Sequence, residues 1–190
     1  MDALHHLRRL IASLDSSLVD ALCTRARRRV NESLYAFPDD PEPDLASLAA
    51  QFAAAPTLPR RAHLLRSPYL LRILPALCEP GEDKGQPSCF SADAACLDAF
   101  ARRLALSVHV AVRKRESLPE PLLAAIRTRD PAQVELAITN RSVENEVVAR
   151  VSARAAESAP RPDVPSRVAA LYDEWLIPLS RKIQVCGLLA

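Results

Sequence analysis

The stretch Ala101–Lys114, ARRLALSVHVAVRK, decides the fold: it reads as a helix with Arg103 near one end and Lys114 near the other. At about 100° per residue the eleven-residue spacing is about three full turns, so both cations lie on one face, about 16 Å apart in rise. Long, flexible side chains on one face can lean toward a common anion. An arbitrary Arg/Lys pair is ordinarily solvated surface charge, so the reading depends on the rest of the chain.

The 190 residues are 49% hydrophobic and 25% charged, which suits one domain with a sizeable core. Only 3 glycines and 4% aromatics, among abundant Ala, Leu and Arg, argue against a β-rich fold and for an all-α one. A net charge of +2 is too small to make nucleic acid or an anionic membrane the expected partner. No apolar run approaches the roughly 18 residues of a membrane span. The opening MDALHHLRRL has no apolar signal-peptide core. The expected compartment is therefore the cytoplasm, with secretion as the alternative. Cys23, Cys78, Cys89, Cys96 and Cys186 form no CxxC pair, so no metal site is expected. Cys78, Cys89 and Cys96 cluster around a loop, where a disulfide is open to an oxidising compartment.

Working outward, Leu4, Leu7, Ile11, Leu14, Leu18 and Leu22 recur at steps of three and four. This is the stripe of a long first helix, expected to run to about Tyr35. Arg8 sits beside that stripe. Arg25, Arg27, Arg28 and Arg29, without interleaved aromatics, read as a solvated helix face rather than a nucleic-acid patch. FPDDPEP (37–43) must be a loop, because proline removes amide donors and disfavours α geometry before it. A short helix is expected over Leu45–Ala55, a break at Pro56–Pro59 and helical periodicity over Ala62–Leu77. Cys78–Ser91 is the main interior loop, with Ser91–Asp93 offering N-caps for the helix that holds Arg103. Asp130 followed by Pro131 reads as an N-cap with proline at the first helical position. AITNRSVENEVVARVSARAAES sets Asn140 and Glu144 four apart beside a valine stripe. Pro160–Pro165 is a loop, and the last helix, Ser166 to about Leu189, is kinked at Pro178.

Four separated segments carry a family resemblance, in one order. LYDEWLIPLSRKIQV resembles the closing-helix pattern LY..W.IPLTK.VEVEYLL of the all-helical chorismate mutases of the fungal and plant branch. ITNRSVENEVVARVSARA resembles that family's ITN..VE..V..RV..KA, and DAACLDAFARRLALSVHVAVRK its D..CL..LSRRIHYGKFVAEAK. LRRLIASLDSSLVDALCTRARRRVNESLY resembles its opening helix. The implied fold is an all-α, single-domain helical bundle over 1–190, with the active site between helices. The implied catalytic residues are Arg8, Arg103, Lys114 and Gln184. The implied substrate-binding residues are Asn140, Glu144, Ser180 and its neighbour Arg181. Gln184 stands where the fungal pattern has glutamate, the HYGKFVAE segment is rewritten, and the tail is shortened to VCGLLA.

The activity so implied turns chorismate into prephenate by a unimolecular [3,3] rearrangement without cofactor or metal. A protein can assist only by conformational selection and electrostatics. Planar guanidinium forks grip carboxylates bidentately, which gives Arg8 and Arg103 their roles as clamps. Lys114 and Gln184 would donate to the ether oxygen, where negative charge develops. Glu144 would accept from the ring hydroxyl, with Asn140 and Ser180 assisting. A homodimer is expected, with no nucleic-acid or membrane partner. Rival readings are an isochorismate pyruvate-lyase and a non-catalytic helical interaction protein. Control by aromatic amino acids is not expected, because Pro87–Ser88 occupies the position of the Gly-Ser turn found in regulated members.

Overall fold

The computed structural model describes residues 3–38, 41–83, 87–116 and 120–190, leaving aside the side chains of 3–5, 8, 87 and 114–116. Every regular element among them is helical, as the sequence implies. The first helix, α1 (Ala3–Arg25), buries Leu18, Val19 and Leu22 completely and packs on α6 (Pro87–Glu116) and α9 (Arg141–Ser158).

Helix α1 stops ten residues before Tyr35, and the cause is Arg25. Its guanidinium donates to the carbonyls of Arg29 at 2.9 Å and Val30 at 3.0 Å, taking acceptors that a continuing helix would use. Asn31 then enters the left-handed region at φ 57, which asparagine tolerates better than most residues. Arg25 is 0% exposed, which corrects its assignment to a solvated face. Its Nε donates to Asp93 Oδ1 at 2.6 Å, while the hydroxyls of Tyr35 and Tyr69 donate to the same carboxylate at 2.5 and 2.6 Å. Asp93 is thus an interior counterion six residues into α6, not an N-cap. The helix begins at Pro87, in the first turn, where a missing amide costs nothing.

Asp44 caps α2 (Leu45–Ala54) by accepting from the amides of Ala46 and Ser47. Next come α3 (Leu58–Leu64), α4 (Arg66–Pro68), a π-helical turn over Tyr69–Ile73 and α5 (Leu74–Leu77). A second π turn, Tyr172–Leu176, separates α10 (Val164–Leu171) from α11 (Ile177–Leu189). Each widened turn immediately precedes a segment with proline in second place, Pro75 and Pro178. Widening relieves the clash of the ring with the carbonyl four residues back, so the expected kink takes the form of a π turn.

Between α6 and α9, α7 (Glu120–Thr128) and α8 (Pro131–Ile138) form a helical hairpin; Asp130 caps α8 as predicted. The main core runs through α1, α2, α6, α9, α10 and α11, with Trp175 edge-on to Phe100 at 5.6 Å between centroids. Ala111, Leu122, Ala125, Val134, Val185 and Leu188 form a second, smaller core that fastens the hairpin to the ends of α6 and α11.

Candidate active site

A cavity of about 650 Å³ opens between α1, α6, α9 and α11, with the hairpin closing one end. Leu7 and Ile11 of α1, Arg103, Ser107 and Val110 of α6, and Ile177, Ser180, Arg181 and Gln184 of α11 line it. Each set recurs at three- to four-residue steps, so each helix turns a single face to the cavity. Asn140, Glu144, Val147 and Arg150 complete the lining from the start of α9.

One wall is organised by Asp15, which is 1% exposed. Its Oδ1 accepts from Arg103 Nε at 2.6 Å, its Oδ2 from Arg150 at 2.8 Å, and Oδ1 also from the Tyr172 hydroxyl at 3.3 Å. Burial, then the Asp15 carboxylate, pushes the Tyr172 phenol well above the ordinary tyrosine range, so it stays a donor. One carboxylate between two guanidiniums leaves a surplus positive charge. Arg103 is almost wholly buried, whereas the Arg150 side chain is 45% exposed, so this wall offers an anion one rigid cation and one adjustable one.

Elsewhere in the lining Arg181 Nη1 donates to Glu144 Oε1 at 3.2 Å, and Arg141 reaches Glu144 Oε2 at 3.3 Å. Arg181 Nε lies 3.6 Å from Glu135 Oε1, an ion pair too long to be a hydrogen bond. Asn140 caps α9, its Oδ1 accepting from the Val143 amide at 3.2 Å. Where α6 meets α11 the hydroxyls of Ser107 and Ser180 lie 2.7 Å apart. Gln184 Nε2 donates to the Ser180 carbonyl at 3.3 Å, one turn back along α11.

The structure thus brings Arg103, Asn140, Glu144, Ser180, Arg181 and Gln184 into one cavity. The side chains of Arg8 and Lys114 lie outside the described residues, although α1 and α6 carry both positions. Asp15, Arg150 and Ser107 were not picked out from sequence. A signal for Asp15 exists, because it stands four after Ile11 and three before Leu18, an acid inside the apolar stripe that needs a cationic partner. Arg150 likewise falls three residues after Val147 on the packed face. All five cysteines are free thiols, so the loop disulfide left open above is not formed. Among the described residues no group of three His, Cys, Asp or Glu side chains is placed to hold a metal, and no helix is long and apolar enough to cross a membrane.

A sequence model of the family described as chorismate mutase type II matches residues 91–185, half of the 190 residues. The chain belongs to the type II chorismate mutase family. Its relatives place it in the fungal and plant branch. Chorismate mutase 2 of Arabidopsis thaliana is 32% identical over 132 residues, 62% of this chain and 50% of that protein. The chain spans about half the length of the curated relatives it matches. In fold it is similar to a chorismate mutase from Candida albicans solved in complex with L-Trp, at a TM-score of 0.77, with 22% identity over 98% of this chain and 90% of that one. AtCM1, solved with tyrosine bound in its allosteric site, gives a TM-score of 0.79 and 21% identity, covering 98% of this chain and 95% of that one.

Proposed function

We propose that this family member is itself a chorismate mutase, converting chorismate to prephenate by a cofactor-free [3,3] rearrangement. The observation that carries the reading is the Arg103–Asp15–Arg150 array, which shares one cavity of about 650 Å³ with Ser180 and Gln184. Chorismate is a dicarboxylate. Folding its enolpyruvyl arm over the ring requires both anions to be held, and buried, preoriented guanidiniums do this at little cost in reorganisation. Arg103 grips one carboxylate and Arg8 the other. Gln184 and Lys114 donate to the ether oxygen as its bond breaks, and this interaction strengthens toward the transition state. Glu144, steered by Arg181 and Arg141, accepts from the ring hydroxyl.

The same reading takes the enzyme to be a cytoplasmic homodimer, and five free thiols, four of them buried, suit a reducing compartment. It also takes the rate to be independent of tryptophan and tyrosine, because Pro87, here the first residue of α6, holds the position of the regulated members' turn glycine. Structures of this fold with tryptophan or tyrosine bound give that last part no support. The deciding experiment follows chorismate loss and prephenate appearance by NMR, with each amino acid added at millimolar levels. Release of pyruvate from isochorismate, or no turnover of chorismate, overturns the mutase reading. A rate that shifts severalfold with either amino acid overturns only the absence of control.

A further inference from the structure

We propose that Ser107 is a positioning residue that turns the Ser180 hydroxyl proton toward the substrate carboxylate; the proposal rests on the mutase reading. Ser107 is 1% exposed and Ser180 8% exposed, and both line the cavity. Ser107 stands one turn after Arg103 on α6, and Ser180 one turn before Gln184 on α11, so their contact lies between the carboxylate clamp and the ether-oxygen donor. Among the described residues each side chain's hydrogen-bond partner is the other, with the oxygens 2.7 Å apart.

Proton accounting gives this contact its consequence. Two hydroxyls carry two protons, and the bond between them uses one. When Ser107 donates, the remaining proton belongs to Ser180 and is free to point into the cavity. A carboxylate arriving there selects that direction, because it accepts and cannot donate.

The chain itself shows what a helical hydroxyl does without such a partner. Ser16, Ser17 and Thr24 of α1 each donate to the carbonyl four residues back, at 3.1, 3.1 and 2.8 Å. This is the local alternative always open to Ser and Thr in helices. With Ser107 removed, Ser180 falls back on the Leu176 carbonyl and its proton leaves the cavity. In the family pattern aligned with this stretch, glycine occupies the position of Ser107 and threonine that of Ser180. The hydroxyl pair therefore departs from that pattern at Ser107 and keeps a hydroxyl at Ser180.

The test is a double-mutant cycle on the full chain, with steady-state kinetics on chorismate and a thermal melt of each variant. Ser107→Ala should lower kcat/KM about fivefold, mostly through KM, the worth of one ordinary hydrogen bond. Ser180→Ala should lower it about tenfold or more, as loss of a donor to a charged group does. In the Ser180→Ala background Ser107→Ala should change kcat/KM by less than about twofold, because its route of action is already gone. Ser107→Thr, which restores the hydroxyl, should recover most of the loss. The proposal is overturned if Ser107→Ala keeps the parental kcat/KM, or if its full effect persists without the Ser180 hydroxyl. A parent that turns over no chorismate sinks the mutase reading and the proposal together, whereas additive losses in an active parent sink the proposal alone.

Discussion

Replacing Asp15 with asparagine tests the wall on which the proposed chemistry depends. The carboxylate is 1% exposed and holds Arg103 at 2.6 Å and Arg150 at 2.8 Å. Asparagine keeps the shape but loses the charge and one acceptor, leaving the Arg103 guanidinium interior without a counterion. Breaking a buried pair by neutralising one partner costs about 3–5 kcal/mol. Arg150 is half-exposed and water replaces its bond at little cost, and the amide oxygen of asparagine still accepts once, so the lower end applies, about 3 kcal/mol. For a chain of this length that is a fall of about 6–12 °C in Tm. Circular-dichroism melts measure it, and urea unfolding should show a lower midpoint at unchanged slope. Because Arg103 would no longer be held in one orientation, kcat/KM should fall as well. A variant melting within about 2 °C of the parent would show that Asp15 does not hold a buried Arg103, and the electrostatic account of this wall would fail.

The donors at the ether oxygen make two further predictions. Lys114→Ala should lower kcat about a hundredfold with a smaller change in KM, as loss of a transition-state donor does; steady-state kinetics showing most of kcat retained would mean that lysine does not meet the developing charge. The Gln184 amide donates at any pH, so kcat should stay nearly flat from about pH 5 to 8, and Gln184→Glu should bring an acidic optimum. An unchanged profile in that variant would remove Gln184 from the reacting oxygen. The thiols make the last. Burial pushes Cys78 up to about 11 and Cys96 up to about 12. Native values above the unfolded one mean stability that is whole below about pH 8.5 and lost as pH rises through the native values, by up to about 1.4 kcal/mol per pH unit for each thiol. Melts from pH 8 to 11 should therefore fall, with Cys78→Ala flattening part of the slope, and a Tm constant over that span would refute the assignment.

Helix existence was legible because the apolar stripes are long and regular: Leu7, Ile11, Leu14, Leu18 and Leu22 leave no other period open. Helix ends were legible where the stop signal is local. Asp130 with Pro131 marks the start of α8 within the dipeptide itself. They were illegible where a distant group decides. Helix α1 ends because Arg25 turns back on the carbonyls after it, and Arg25 is held there by Asp93, sixty-eight residues away. No window along α1 contains that information, so the periodicity runs on toward Tyr35 while the backbone does not.

The same division runs through the candidate site. Arg103, Glu144 and Gln184 could be singled out because each falls on a family motif, and periodicity then put each on a cavity-facing surface. Asp15 belongs to no quoted motif position, and Arg150, although it stands at the arginine of the ITN..VE..V..RV..KA pattern, carries no role there; each alone looks like an ordinary charge on a long helix. Only their juxtaposition, 2.8 Å apart from positions 135 residues distant in sequence, turns them into part of an anion site. Physical chemistry narrows the gap, because an acid inside an apolar stripe must find a cation or be left at a cost of several kcal/mol. Applied along α1, that rule marks Asp15 as requiring a buried partner. It does not choose between Arg103, Arg150 and the other arginines, a choice that depends on how α1 crosses α6 and α9. Ser107 is harder still, since a serine on an apolar helix face can always satisfy itself against its own backbone, and only the approach of Ser180 across the cavity gives it another use.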